Sequence, residues 1–203
     1  MVEHFPENHH DGAATAHEVQ LFDSDESRAD AVADFFGEGF LNGDSMLAVV
    51  DTRHWYAIAM RMVANGLPVD DAMRVGQFVV RDAEATLETF MRRDRPDPRL
   101  FVATVGTLVS GLAARGRRLR IYGEMVDVLA AQGDYAAARE LEEMWNELGS
   151  YRAFTLFCGY NAAHFGDPRN AVDLRRICTA HSDVRSDRRD PLAEFLVRPF
   201  TAA

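Results

Sequence analysis

The residues best equipped for chemistry stand just past short apolar runs or along one edge of a helix. Leu119-Arg-Ile-Tyr122 leads through Gly123 into Glu124, and the glycine lets the chain turn tightly and aim that carboxylate into a crevice. Glu124 fits equally well as a first-turn acid that meets a helix dipole. Glu142 and Asn146 are four residues apart, on the shoulder of a stripe made by Ala138, Leu141, Trp145 and Leu148. They either look into a crevice beside Trp145 or meet solvent and Arg139. Tyr160 follows the apolar run that ends at Cys158. His17 opens another such run, and an imidazole there suits a pocket or a hydrogen-bonded place at the core edge. Glu124, Glu142, Trp145, Asn146, Tyr160 and His17 are the candidate ligand-binding residues, polar anchors with an aromatic wall.

Metal and enzyme chemistry find less support. Cys158, His164, Cys178 and His181 spell C-x5-H and C-x2-H, with Cys178 and His181 on one helix face. The spacing is irregular and no C-x2-C pair accompanies it, so buried thiols and a capping histidine are the ordinary reading, and no metal or cofactor is expected. None of the seven serines lies in G-x-S-x-G, and His17-Glu18 lacks the second histidine of H-E-x-x-H. A cysteine that ends an apolar strand is usually inert packing. All 22 basic residues are arginine. Without lysine the phosphate loop G-x-x-x-x-G-K-[ST] cannot be written, and Schiff-base chemistry is excluded too. The expectation is a protein that is not an enzyme.

These residues need elements to hold them. Residues 1–16 are polar and aperiodic and read as a disordered lead-in. Strands are expected at His17–Phe22, Met46–Val50, Phe78–Val80, Leu119–Tyr122 and Phe154–Cys158. Helices are expected from an acidic start at Asp23–Glu26 to Gly43, over 54–64, briefly from Val69, over 82–91, over 100–114, from Glu124, over 135–148 and over 168–180. Asp82, ahead of Ala83 and Glu84, reads as a cap. Short apolar strands that alternate with helices imply one α/β domain, a mainly parallel sheet with helices on both faces. Such sheets bind ligands beyond the carboxyl ends of their strands, here at Asp51–His54, Asp82, Glu124 and Cys158–Tyr160.

Composition narrows the setting. A chain of 203 residues with 47% hydrophobic content fills one core. Its net charge of −10 argues against general nucleic-acid or anionic-membrane binding. No apolar run is long enough for a membrane span, no signal peptide opens the chain, and two cysteines suit a reducing, cytoplasmic setting.

Several motifs follow one another in order: His17-Glu-Val-Gln-Leu-Phe22, Phe36-x-x-Gly39-Phe-Leu-Asn-Gly43-Asp44, Gly76-Gln-Phe-Val-Val-Arg-Asp-Ala83, Arg120-x-Tyr122-Gly123-Glu124-Met125, Leu141-Glu142-x-x-Trp145-Asn146, Cys158-x-Tyr160 and Ile177-Cys178-x-Ala-His181-Ser182. The series resembles the MEDS domain, the sensory domain of DcmR-type regulators of methylotrophs and methanogens, over about residues 17–184. The resemblance implies a RecA/KaiC-like core that has lost its nucleotide machinery. It also implies sensing of simple organic, hydrocarbon-like compounds, in a family often joined to DNA-binding, kinase or anti-sigma modules. Asp44 stands where glutamate is more usual, and Gly159-Tyr160-Asn161 replaces an Ala-Tyr-Pro-like turn.

The expected protein is a stand-alone sensory module for a small organic ligand. Residues 185–203 form a charged tail too short for an output domain, so a partner (a kinase, anti-sigma factor or transcription regulator) would carry the signal. The alternatives are an interaction subunit that binds no ligand and a thiol- or metal-dependent enzyme built on Cys158, Cys178 and His181.

Overall fold

The computed structural model describes residues 15–185. The lead-in and tail expected from the sequence lie, but for residues 15, 16 and 185, outside the described residues. The chain runs β1 (Ala16–Phe22), α1 (Asp25–Asn42), β2 (Ser45–Val50), α2 (Thr52–Ala64), α3 (Val69–Arg74), β3 (Phe78–Asp82) and α4 (Ala83–Glu88). A small antiparallel hairpin follows, β4 (Met91–Arg92) and β5 (Arg95–Pro96), and then α5 (Pro98–Phe101), a π turn at Val102–Gly106 and α6 (Thr107–Ala113). The second half is β6 (Leu119–Gly123), α7 (Met125–Ala131), α8 (Tyr135–Tyr151), β7 (Thr155–Asn161), α9 (Ala171–Thr179) and β8 (Asp183–Val184).

The main sheet has six strands in the order β3-β2-β6-β7-β1-β8, and every pairing in it is parallel. Alternation along the strands splits the core in two. Leu47, Val49, Leu119, Ile121, Leu156 and Cys158 pack on one face with α7, α8 and the α5–α6 rod, while Met46, Ala48, Val50, Tyr122 and Phe157 face α1 to α3. The result is the three-layer α/β fold expected from the apolar runs, which lie buried on both faces as parallel strands must. Among the described residues no helix is long and apolar enough to cross a membrane.

Local signals set the boundaries. Ser24 accepts from the Ser27 N–H to start α1, and Gly43 ends it in the left-handed region at φ 71°. Asp82 accepts from the Ala85 N–H, the capping role read from the sequence. Three expectations are corrected. The helix from 82 stops at Glu88, because Arg93 and Asp94 take positive φ and fold the next residues into the hairpin. The helix expected over 100–114 begins at Pro98, capped by Asp97, and carries the π turn. Gly123 is an ordinary residue of β6 and makes no left-handed turn.

Gly159 is a glycine that packing requires. A side chain there would strike the Tyr122 hydroxyl and the Phe22 ring, which lie against the β7 backbone. Gly159→Ala is therefore expected to cost roughly 1–3 kcal/mol through overpacking, whereas Gly123→Ala, which meets no neighbour within 4 Å, is expected to be nearly neutral. Urea melts of the two variants check this, and equal losses would contradict it.

Candidate functional site

Two buried carboxylates organise the polar residues, one on each face of the sheet. Glu142 is 0% exposed and projects from α8 onto β7 and β1. Tyr160 donates its hydroxyl to Oε1 at 2.7 Å, and the Cys158 thiol donates to Oε2 at 3.3 Å. His17 Nε2 lies 3.2 Å from Oε2 and 3.3 Å from the Cys158 sulfur. His181, just past α9, brings Nε2 to 3.3 Å from Oε1 but out of line for a hydrogen bond. The two imidazole rings stack at a tilt with centroids 4.0 Å apart. Asn146, one turn along α8, accepts through Oδ1 from His17 Nδ1 at 2.8 Å and donates through Nδ2 to the Ala180 carbonyl at 2.9 Å.

Charge follows this geometry. Burial alone would push Glu142 up, but His181 and His17 hold it well below the usual carboxylate range. Burial, reinforced by Glu142, raises the Cys158 thiol and the Tyr160 phenol far above their ordinary values, so both stay protonated donors. Burial opposes a charge on His181, and Glu142 outweighs it, raising the imidazole.

Glu124 belongs to a different cluster. It shares the face of Tyr122, whose hydroxyl donates to it at 2.7 Å, and it also accepts from Arg28 at 2.9 Å and from the Asp51 N–H at 2.9 Å. His54 Nδ1 lies 2.9 Å away. Arg28, 1% exposed, reaches on to Asp127 at 3.3 Å and covers the Phe22 ring. Asp127 in turn accepts from the Asn161 N–H at 2.8 Å and sits 3.3 Å from His164. Burial pushes Glu124 up, but His54 and Arg28 win and its carboxyl falls below the usual range. The hydrogen bond that His54 gives to Glu124 raises the imidazole.

The candidate residues thus divide. His17, Glu142, Asn146 and Tyr160 meet in one cluster. Glu124 does not face Glu142 across a crevice: strand alternation sends it to the opposite face of the sheet. Trp145 is core, packed edge-on between Phe101 and Phe154. Of the four sulfur and imidazole residues grouped by spacing, Cys158 and His181 converge, while His164 joins Asp127 and Cys178 stays outside the ligand group. Arg28 and Asp127 escaped the sequence reading, whereas His54 entered it as the end of the Asp51–His54 segment. The signal for Arg28 was its place one turn before Val32, on the apolar stripe of α1.

Gly123 adds the last feature. It is buried, pairs with Val49 and Cys158, and by alternation points to the Glu142 face. A Cβ there would meet no atom within 4 Å beyond its chain neighbours, so open space lies beside Cys158 at the carboxyl end of the sheet. A separate surface pocket, lined by Val75, Gln77, Arg115 and Arg117, sits at the amino ends of the strands and holds none of these residues.

The sequence profile of the family described as "MEthanogen/methylotroph, DcmR Sensory domain" matches residues 16–182. The chain belongs to the MEDS family. That match covers most of the chain and takes in both carboxylate clusters, so this MEDS domain is a sensory domain by family. Comparison with curated proteins gives no match.

With four donors on its carboxylate, Glu124 is a structural acid. Glu124→Gln is expected to lower stability by roughly 1–3 kcal/mol, because it removes the nearer of the two carboxylates that compensate buried Arg28 and leaves Asp127 alone to do so. A chemical melt showing under 1 kcal/mol would return Glu124 to the list of site residues. The pair also sets a pH window. The raised His54 contributes stability that is full below its ordinary value of 6.5 and is lost as pH climbs through its folded value. The lowered Glu124 contributes above its ordinary 4.5 and is lost as pH falls through its folded value. His54→Gln is expected to flatten the alkaline limb of the stability profile and, because His54 is a main partner holding Glu124 low, to weaken the acid limb as well, as melts across pH would read.

Proposed function

We propose that this MEDS domain is a cytoplasmic, non-catalytic sensory module that takes a small organic, hydrocarbon-like molecule beside Gly123 and relays the change to a partner signalling protein. The observation that carries this reading is the open space over buried Gly123. It is bordered by Val49 and Cys158 and stands next to the polar cluster around Glu142, so an apolar body and a polar tip can both be met. Its place at the carboxyl end of a parallel sheet is where such folds receive ligands.

Two features support a sensor over a nucleotide enzyme with a RecA/KaiC-like core. Lysine is absent from the sequence, and only Asp23 and Ser24 join β1 to α1, an acidic connection too short to cradle phosphates. Past that connection Arg28 is spent on Glu124 and Asp127.

Relay to a partner has a candidate surface. Tyr56, Met60 and Val63 are 70%, 55% and 55% exposed along one side of α2, an apolar stripe at helical spacing. The inner side of the same helix carries His54 and its bond to Glu124. The stripe equally suits the second reading, an interaction subunit that binds no ligand.

Xenon and a panel of short alcohols and ketones serve as probes, read by NMR shifts of residues around Cys158 and by thermal melting. The sensor reading expects saturable shifts at Val49, Gly123 and Cys158 that vanish in Gly123→Leu, where the side chain fills the space. Shifts absent from the folded wild type would leave the interaction subunit. ATP is expected neither to bind at micromolar concentration nor to be hydrolysed, and calorimetry with a turnover assay checks it.

A further inference from the structure

We propose that His17, Glu142, Cys158 and His181 form a closed binding site for a zinc-class divalent cation. The inference stands apart from the small-molecule reading, because it rests on the four side chains alone. Their ligand atoms all lie within 4.8 Å of one another. The expectation of no metal looked for ligands at Cys158, His164, Cys178 and His181; folding keeps two of these and supplies His17 and Glu142 instead.

Hydrogen bonds fix which ring nitrogens are free. The Asn146 amide donates through Nδ2 to the Ala180 carbonyl and therefore turns Oδ1 to His17. His17 Nδ1 must carry the proton in that bond. His181 Nδ1 lies 2.7 Å from the Ile177 carbonyl, which can only accept, so the proton is again on Nδ1. A neutral ring in either place therefore carries its lone pair on Nε2, which lies 3.2 Å from Glu142 Oε2 in His17 and 3.3 Å from Oε1 in His181. His181 Nε2 is buried and has no hydrogen-bond partner. Two such nitrogens beside a carboxylate without exposed surface call for positive charge among them, either as protons on the rings or as a bound cation.

A divalent ion supplies that charge and balances the site. One thiolate, one carboxylate and two neutral imidazoles around a dication sum to zero, the condition a buried site needs. The spacing fits as well. Tetrahedral bonds of about 2.0–2.1 Å to nitrogen or oxygen and about 2.3 Å to sulfur put neighbouring ligand atoms roughly 3.3–3.6 Å apart. His17 Nε2, Cys158 Sγ and Glu142 Oε2 are mutually 3.2, 3.3 and 3.3 Å apart, and His181 needs to close by about 1 Å. The outer partners are those a metal site uses: Asn146 and the Ile177 carbonyl orient the imidazoles, and Tyr160 holds the second carboxylate oxygen. Thiolate and imidazole select zinc-class ions over calcium or magnesium. On binding, the Cys158 S–H proton leaves to solvent as the sulfur–metal bond forms, with no change of oxidation state. The ion would tie together β1, β7, α8 and the segment after α9.

The test uses the full chain, purified without a polyhistidine tag. Elemental analysis is expected to find about one zinc-class ion per chain. Cobalt(II) loaded into chelator-treated protein is expected to give tetrahedral ligand-field bands and a thiolate charge-transfer band. Cys158→Ser should lose the charge-transfer band and Cys178→Ser should keep it. Should Cys158→Ser fail to fold, the wild-type metal content and cobalt spectrum decide. Folded wild-type protein with neither stoichiometric metal nor a cobalt spectrum overturns the proposal, as does a charge-transfer band that follows Cys178.

Discussion

Glu142 is a carboxylate with no exposed surface, set in a helix whose neighbours are almost all apolar, and most of the carboxyl half of the sheet is arranged around it. A charge so placed persists only if every oxygen lone pair is met. Tyr160 and Cys158 come from successive same-face positions of β7, His17 from the head of β1, and His181 from the turn that leads into β8. The register of β1 against β7, which pairs His17 with Leu156 and Val19 with Cys158, lets the imidazole and the thiol reach the same oxygen. A one-residue slip would turn each of these side chains to the other face.

The sheet separates this cluster from the one around Glu124, and two glycines mark how differently the faces are filled. Over Gly159 the Tyr122 phenol and the Phe22 ring lie so close that no side chain fits, which locks Glu124, Arg28 and Asp127 into a packed network. Over Gly123, on the opposite face, space remains. One polar network is thus consumed by structure, while the other borders an opening and keeps two imidazole Nε2 atoms beside one carboxylate. Sensing, in this account, belongs to the second.

The sequence made the layers legible, because apolar runs at Met46–Val50 and Phe154–Cys158 have no reading in this context but buried parallel strands. It also made the Glu142–Asn146 edge legible, since an i, i+4 pair on the shoulder of a core stripe must share a neighbour. What stayed hidden was pairing between strands. Whether Glu124 and Glu142 face one another depends on which side of β6 an even-numbered residue takes relative to α8, and no local pattern carries that. Arg28 was hidden for a related reason: its partners, Glu124 and Asp127, are about a hundred residues away in sequence. The hairpin at Met91–Pro96 was missed because Arg93 and Asp94 adopt positive φ without the glycine that usually announces such a turn.

The protons of His17 and His181 decide whether the Glu142 cluster can hold a metal, and nitrogen NMR of the two imidazoles in the purified protein measures them directly. The hydrogen bonds from Nδ1 to Asn146 and to the Ile177 carbonyl require a proton on Nδ1 of both rings, and a metal-holding cluster leaves both Nε2 atoms unprotonated. A bound proton on Nε2 of either ring would contradict it, and would make Glu142 the centre of a proton-held salt bridge.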